Sequence, residues 1–164
     1  MQKDFENLFY EAEDHYLQTS DITTLKNQAN RLRECLEIYQ CLRDQEITIF
    51  QSVADSLVEA FPDENSPRLE QALRHWMSVM RYGAMALLLN NPDYFNHRLL
   101  EWLTDMVHAQ EMVVIETHLF ECLKQQLEDS FSSRQMEIIN PFLSQAKTIL
   151  IEPKAQLKIA KTGA

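Results

Sequence analysis

A chain of 164 residues with 45% apolar and 24% charged residues is long enough for one sizeable core and too apolar for a disordered segment. Fifteen Lys plus Arg against 25 Asp plus Glu give a net charge of −10, which argues against nucleic acid or an anionic membrane as the main partner, because both are bound through basic patches. The longest uninterrupted apolar run, Ala84 to Leu89, is far below the roughly 20 residues of a membrane span, and no basic-then-apolar leader opens the chain. The three cysteines, Cys35, Cys41 and Cys122, form neither a disulfide framework nor a CxxC pair, which points to a reducing compartment. A soluble, acidic, cytoplasmic protein is expected.

Helices are expected throughout. Only two glycines occur, Gly83 and Gly163, against an abundance of good helix formers, and no segment alternates with period two. A first helix is predicted from about Lys3 to Leu17, with Phe5, Leu8, Phe9, Ala12 and Tyr16 on one face. Ser20 and Asp21 are placed to cap a second, long helix bearing Leu25, Ala29, Leu32, Leu36, Tyr39 and Leu42. Its continuation, Ile47, Phe50, Val53, Ala54, Leu57 and Val58, ends at Phe61-Pro62. Ser66-Pro67 is a start signal, a capping hydroxyl followed by proline. The helix it opens carries Leu69, Ala72, Leu73, Trp76, Met77, Met80, Gly83, Ala84 and Leu87 at three- and four-residue steps.

Asn91-Pro92 repeats the start signal for a helix with Leu99, Leu100, Leu103, Met106 and Val107. Another helix is predicted around Val113 to Leu127, and Ser132-Ser133-Arg134-Gln135 resembles a capping box opening the last. Pro141 is expected to kink or interrupt that last helix, and the tail after Pro153 to fray. Seven or eight helices with short connections and no domain boundary suit a single all-α domain over residues 1–164, globin-like or a bundle.

The search for catalytic chemistry is negative: there is no glycine-rich phosphate loop, no nucleophile elbow and no Cys/His pair at a telling spacing. No enzymatic activity is expected. His108-x-x-Glu111 and His118-x-x-Glu121 each place a His and a Glu on one helix face. Di-iron bundles use the reverse order with two further carboxylates, so the two pairs are read as solvated faces and no metal is expected. Haem would need an axial ligand, for which His97 and His108 are the available histidines, with nothing in the spacing singling out either. Trp76, Met77, Met80 and Met85 are read as core packing rather than a cofactor box. Arg74 and Arg81, two turns apart, could hold carboxylates of a ligand, of a partner or of neighbouring Glu and Asp.

The stretch Ala72-Leu73-Arg74-His75, then Arg81, then Asn90-Asn91, resembles the middle of a phycobiliprotein, the globin-like light-harvesting proteins of cyanobacterial and red-algal antennae. In that family the segment reads Cys-(Leu/Ala)-Arg-Asp, followed by an Arg six residues after the Asp and a Gly-Asp pair ending the helix. Ile49 through Phe61-Pro62 resembles the family's helix ending in Phe-Pro, Leu99 to Met106 its short Leu-rich helix, and Ser132 to Leu150 its last helix. The likeness covers about Leu25 to Leu150 and implies the globin-like phycobiliprotein fold with an N-terminal helical extension.

The departures bear on function. The family attaches a linear tetrapyrrole by a thioether to the cysteine, where this chain has Ala72, and the pyrrole-binding Asp is replaced by His75. The connection after Phe61-Pro62 is also shorter. The resemblance therefore implies a phycobiliprotein-like interaction protein without covalent pigment. Its role would lie in assembling, regulating or remodelling phycobilisomes or related photosynthetic complexes, in the cytoplasm or peripheral at the thylakoid surface. Its partner would be a protein component of such a complex, in a homodimer or heterodimer. Phe5, Leu8, Phe9 and Tyr16 form the candidate partner face, and the acidic segment Met1 to Ser20 favours a basic or polar partner surface. Ala72, Arg74, His75 and Arg81 form a candidate relic pocket. The alternative is a non-covalent bilin carrier, chaperone or sensor in which Arg74 and Arg81 grip propionates and His75 acts as donor. A haem-binding sensor globin is a more distant reading.

Overall fold

The long first helix of the structure, a computed structural model describing Tyr10 and residues 16–152, follows from what its sequence lacks. Helix α1 (Thr19–Ala60) runs for 42 residues, with neither glycine nor proline to break it. Its N-cap is Gln18, not Ser20 or Asp21. Asp21 lies at the third helical position and accepts the Gln18 backbone N–H at 2.9 Å, where a carboxylate also faces the positive end of the helix dipole. The helix ends at Phe61, which Pro62 bars from helical geometry. Most of the predicted first helix and the tail after Pro153 lie outside the described residues; of that helix Tyr10 is helical, while Tyr16 and Leu17, at its expected end, are not.

Helix α2 (Ser66–Leu89) is capped one residue earlier than expected, by Asn65, so that Ser66 and Pro67 form its first turn. It ends at Asn90, whose φ of 48° is left-handed. Asparagine tolerates that conformation better than most residues with a Cβ. Asn91 Oδ1 accepts the Tyr94 N–H at 3.1 Å and starts α3 (Pro92–Phe95). The single helix predicted here is divided: α3 passes into a π-helical turn (Asn96–Leu100) and then α4 (Glu101–Ala109). The wider turn lets Phe95, Leu99, Leu100 and Leu103 all reach the interior.

After a short connection, α5 (Val113–Ser130) and α6 (Ser133–Leu150) follow. The expected capping box forms at α6: the Ser132 N–H donates to Gln135 Oε1 at 3.0 Å, and the Gln135 N–H donates to Ser132 Oγ at 3.4 Å. Pro141 does not interrupt α6. Its missing N–H frees the Glu137 carbonyl on an exposed part of the helix, where water can serve as donor. The described residues form only helices and connections, and none of these helices is long and apolar enough to cross a membrane.

The core lies between α1 and α2, closed by α5 and α6. Ile38, Val53 and Leu57 meet Trp76, Leu119, Leu123 and Leu143 there, with Phe95 and Leu99 sealing one end. Trp76 and Met80 belong to this core, Met77 packs on its edge, and Met85 is exposed. Gly83 sits inside α2, facing Phe95 and Phe142. A Cβ there would stand 3.9 Å from both Phe142 Cβ and Phe95 Cζ, ordinary contact distance. Gly83→Ala should therefore stabilise the protein by about 0.5–1 kcal/mol, through helix propensity and a less flexible unfolded chain. A rise in the urea midpoint at unchanged slope would show it.

Candidate functional site

Helix α2 carries all four residues of the candidate pocket, and its geometry separates them. At 100° per residue, Arg74 and Arg81 fall within about 20° of each other, Ala72 projects from the opposite side, and His75 lies about 100–120° round the helix from the arginines. Ala72 is fully buried and His75 is 6% exposed. Arg74 stands in solvent and pairs with Glu70 on its own helix at 3.3 Å. Arg81 reaches across to α1, donating through Nε to Glu46 Oε2 at 2.8 Å and through Nη2 to Glu46 Oε1 at 2.5 Å. This two-pronged hydrogen bond holds the Glu46 carboxyl below its usual range and the Arg81 guanidinium above its own. Beside the pair lies a cavity of about 340 Å³ between α1, α2 and α5, lined in part by Tyr39, Arg43, Met80 and Met85. Arg81 lines it; Ala72, Arg74 and His75 do not.

His75 is directed into the core, where its Nδ1 lies 2.6 Å from Oε1 of Glu116 on α5. Glu116 is wholly buried, and burial raises its carboxyl pKa. The hydrogen bond from His75, then its charge, and then a smaller pull from the neighbouring Trp76 indole oppose that rise. Glu116 Oε2 and Trp76 Nε1, both buried, make no hydrogen bond among the described residues. The arrangement is an internal polar link between α2 and α5 rather than an open ligand site.

Glu116 was not singled out in the sequence, yet its position carried a signal. It occupies a core position in the stripe Glu116, Leu119, Phe120, Leu123, Leu127, where an acid needs a buried partner. Glu46, the partner of Arg81, had no such signal.

Of the other described histidines, His97 and His118 have partners close by on their own helices or beside them, and the buried Nε2 of His108 makes no hydrogen bond among the described residues. His97 is exposed and bonds Glu101 at 2.8 Å. His108 is half-buried in the last turn of α4. His118 packs edge-on against Phe61 and lies 3.5 Å from the Cys122 sulfur, and Lys147 bonds Glu121 at 3.0 Å. Among the described residues no three His, Cys, Asp or Glu side chains are gathered to hold a metal ion. The three cysteines are free thiols; Cys35 is buried, and burial pushes the thiols of Cys35 and Cys122 up. Of the predicted partner face, Phe5, Leu8 and Phe9 lie outside the described residues, and Tyr16 is almost wholly exposed.

A family model described as "Phycobilisome protein" matches residues 8–150. The chain belongs to the phycobilisome protein family, and its all-helical fold is of the globin-like phycobiliprotein type. Allophycocyanin subunit beta-18 of Aglaothamnion neglectum is 21% identical over 153 residues, an alignment that covers 88% of this chain and 86% of that protein.

Proposed function

We propose that this protein acts by protein–protein contact in the assembly, regulation or remodelling of phycobilisomes or related photosynthetic complexes, without covalently bound pigment. It would do so in the cytoplasm or at the thylakoid surface. The observation that carries this reading is the state of the α2 segment most like a pigment site. Ala72 has no sulfur for a thioether and is fully buried, and His75 is committed to Glu116 at 2.6 Å. The non-covalent tetrapyrrole reading would require Arg74, His75 and Arg81 to grip one ligand; their separate partners, Glu70, Glu116 and Glu46, and the turn of about 100–120° on α2 between His75 and the arginines weigh against it.

The test is a visible absorption spectrum of the protein purified from a bilin-producing cyanobacterial host, before and after acid denaturation, together with sedimentation alongside purified phycobilisomes. A colourless protein that co-sediments with phycobilisomes is expected. Bilin colour released on denaturation would replace this reading with a non-covalent carrier. Colour retained by the denatured chain would mean that a cysteine has taken over attachment.

A further inference from the structure

The cavity of about 340 Å³ beside the Arg81–Glu46 pair is lined by one face of each of three helices. Tyr39, Leu42, Arg43 and Glu46 share a face of α1 at i, i+3, i+4 and i+7. Met80, Arg81, Ala84 and Met85 form the α2 wall. Leu123 and Leu127 of α5 also line it, and both are wholly buried, so the space passes between α1 and α2 as far as the third helix. A partner helix, about 10 Å across with its side chains, cannot enter a gap between two packed helices; a slender molecule can. Ala84 is the smallest side chain in these walls. Met80 and Met85, read from the sequence as core packing, both line the cavity. Their unbranched, flexible side chains adapt to a bound apolar body. A concave, mainly apolar space of this size with a few fixed polar groups has the character of a small-molecule site.

The polar groups decide which kind of molecule fits. Tyr39, Arg43, Glu46 and Arg81 are the polar side chains of the lining. Both oxygens of Glu46 accept from Arg81, so this pair is a neutral, internally bonded piece of wall. Arg43 is held differently. Its Nε donates at 2.7 Å to Asp44, its neighbour in sequence, and both side chains are 62% exposed. An exposed pair of this kind contributes little, and the guanidinium keeps further N–H donors in a fork that matches a carboxylate. Arg43 lines the cavity and Asp44 does not. The result is an apolar interior with one exchangeable cation at its rim.

We propose that this cavity binds a small amphipathic acid, with its apolar body between Met80, Met85 and the α5 leucines and its carboxylate on Arg43. The site is separate from the α2 segment that resembles a pigment site, because Ala72, Arg74 and His75 do not line it. The chain as a whole carries a net charge of −10 and repels anions at long range. A preference for an anion here therefore has to come from Arg43 itself.

Isothermal titration calorimetry of the full chain with sodium decanoate tests the proposal, with decylammonium as the charge-reversed control. Decanoate is expected to bind one molecule per chain with a Kd of about 0.1 mM, and decylammonium about tenfold more weakly in spite of the acidic chain. Arg43→Gln should weaken decanoate binding about tenfold. Lys26→Gln removes the same charge 17 residues away on α1 and should leave binding unchanged. Ala84→Leu should abolish binding by filling the space, with circular dichroism as the check on folding. Should that variant unfold, Arg43→Gln still decides, because its side chain stands in solvent. No binding of decanoate at millimolar concentration would overturn the proposal. Equal affinity for the two probes, or indifference to Arg43→Gln, would reduce the binding to unspecific apolar adsorption and overturn it as well. Binding seen only where light scattering shows a self-associated chain dissociating would make a second copy the occupant. None of these measurements involves phycobilisomes or pigment, so their outcome is independent of the role proposed above.

Discussion

Replacing His75 with leucine is expected to lower the unfolding free energy by about 3–5 kcal/mol, the range for removing one member of a buried polar pair. His75 and Glu116 are 6% and 0% exposed and meet at 2.6 Å, and the other oxygen of the Glu116 carboxyl has no partner among the described residues. Without the imidazole the carboxyl would be stranded in the core. Replacing both residues with leucine should recover most of the loss, because no polar group then remains to be satisfied. Urea denaturation of the two single leucine variants and the double variant closes the thermodynamic cycle. A His75→Leu cost below about 1 kcal/mol would mean that the pair contributes no more than an ordinary exposed contact.

The same pair gives a pH signature with a definite sign. Burial holds Glu116 above the ordinary value of 4.5, so the folded state favours its protonated form. The corresponding stabilisation is complete below about pH 4.5 and is lost as pH rises through the raised pKa. Glu116→Gln cannot ionise. The stability of the wild type minus that of Glu116→Gln should therefore fall as pH is raised from 4 towards neutrality. Taking the difference cancels carboxyls of opposite behaviour, such as Glu46, which Arg81 holds below its usual range. A difference that stays flat across this interval would remove the case for a buried, strained acid at Glu116.

Trp76→Ala is expected to cost about 3–5 kcal/mol, the range for removing a large buried aromatic from a core that cannot fully close over the space. The Trp76 ring is wholly buried and packs against Phe120 with ring centroids 5.3 Å apart. Trp76→Phe should cost much less. The indole N–H makes no hydrogen bond by geometry among the described residues and exerts only the weakest of the pulls on Glu116, so the exchange removes chiefly ring volume. If Trp76→Phe proved as costly as Trp76→Ala, the N–H would have to be satisfied by a buried water bridging it to the free oxygen of Glu116. Chemical denaturation of both variants at one pH decides between these outcomes.

Much of the fold was legible before any coordinates. The periodic stripe of α2, the Phe61-Pro62 stop, the Asn91-Pro92 start and the Ser132/Gln135 capping box are local signals, written in residues three or four apart. The mispredicted details are also local but depend on competition. Asn65 rather than Ser66 caps α2, and Asp21 serves from inside α1 rather than as its cap. In each case adjacent residues offered similar chemistry, and only the folded geometry selected between them. The π-helical turn at Asn96–Leu100 had no local signal, because it arises where Phe95, Leu99, Leu100 and Leu103 must all face one core.

The candidate pocket shows where local reading ends. Ala72, Arg74, His75 and Arg81 are close in sequence and resemble one family segment. On a helix, closeness in sequence does not set direction: a step of one residue turns the side chain by about 100°. His75 therefore enters the core to meet Glu116, 41 residues away in sequence, while Arg81 turns outward to meet Glu46, 35 residues back. The sequence by itself determined the helical class, the order of the elements, the absence of a sulfur at Ala72 and the family to which the chain belongs, because each is a property of composition or short-range pattern. Which partner each charged or polar side chain of α2 takes was decided only by the tertiary structure, because hydrogen bonds and ion pairs form between helices that meet only once the core is assembled.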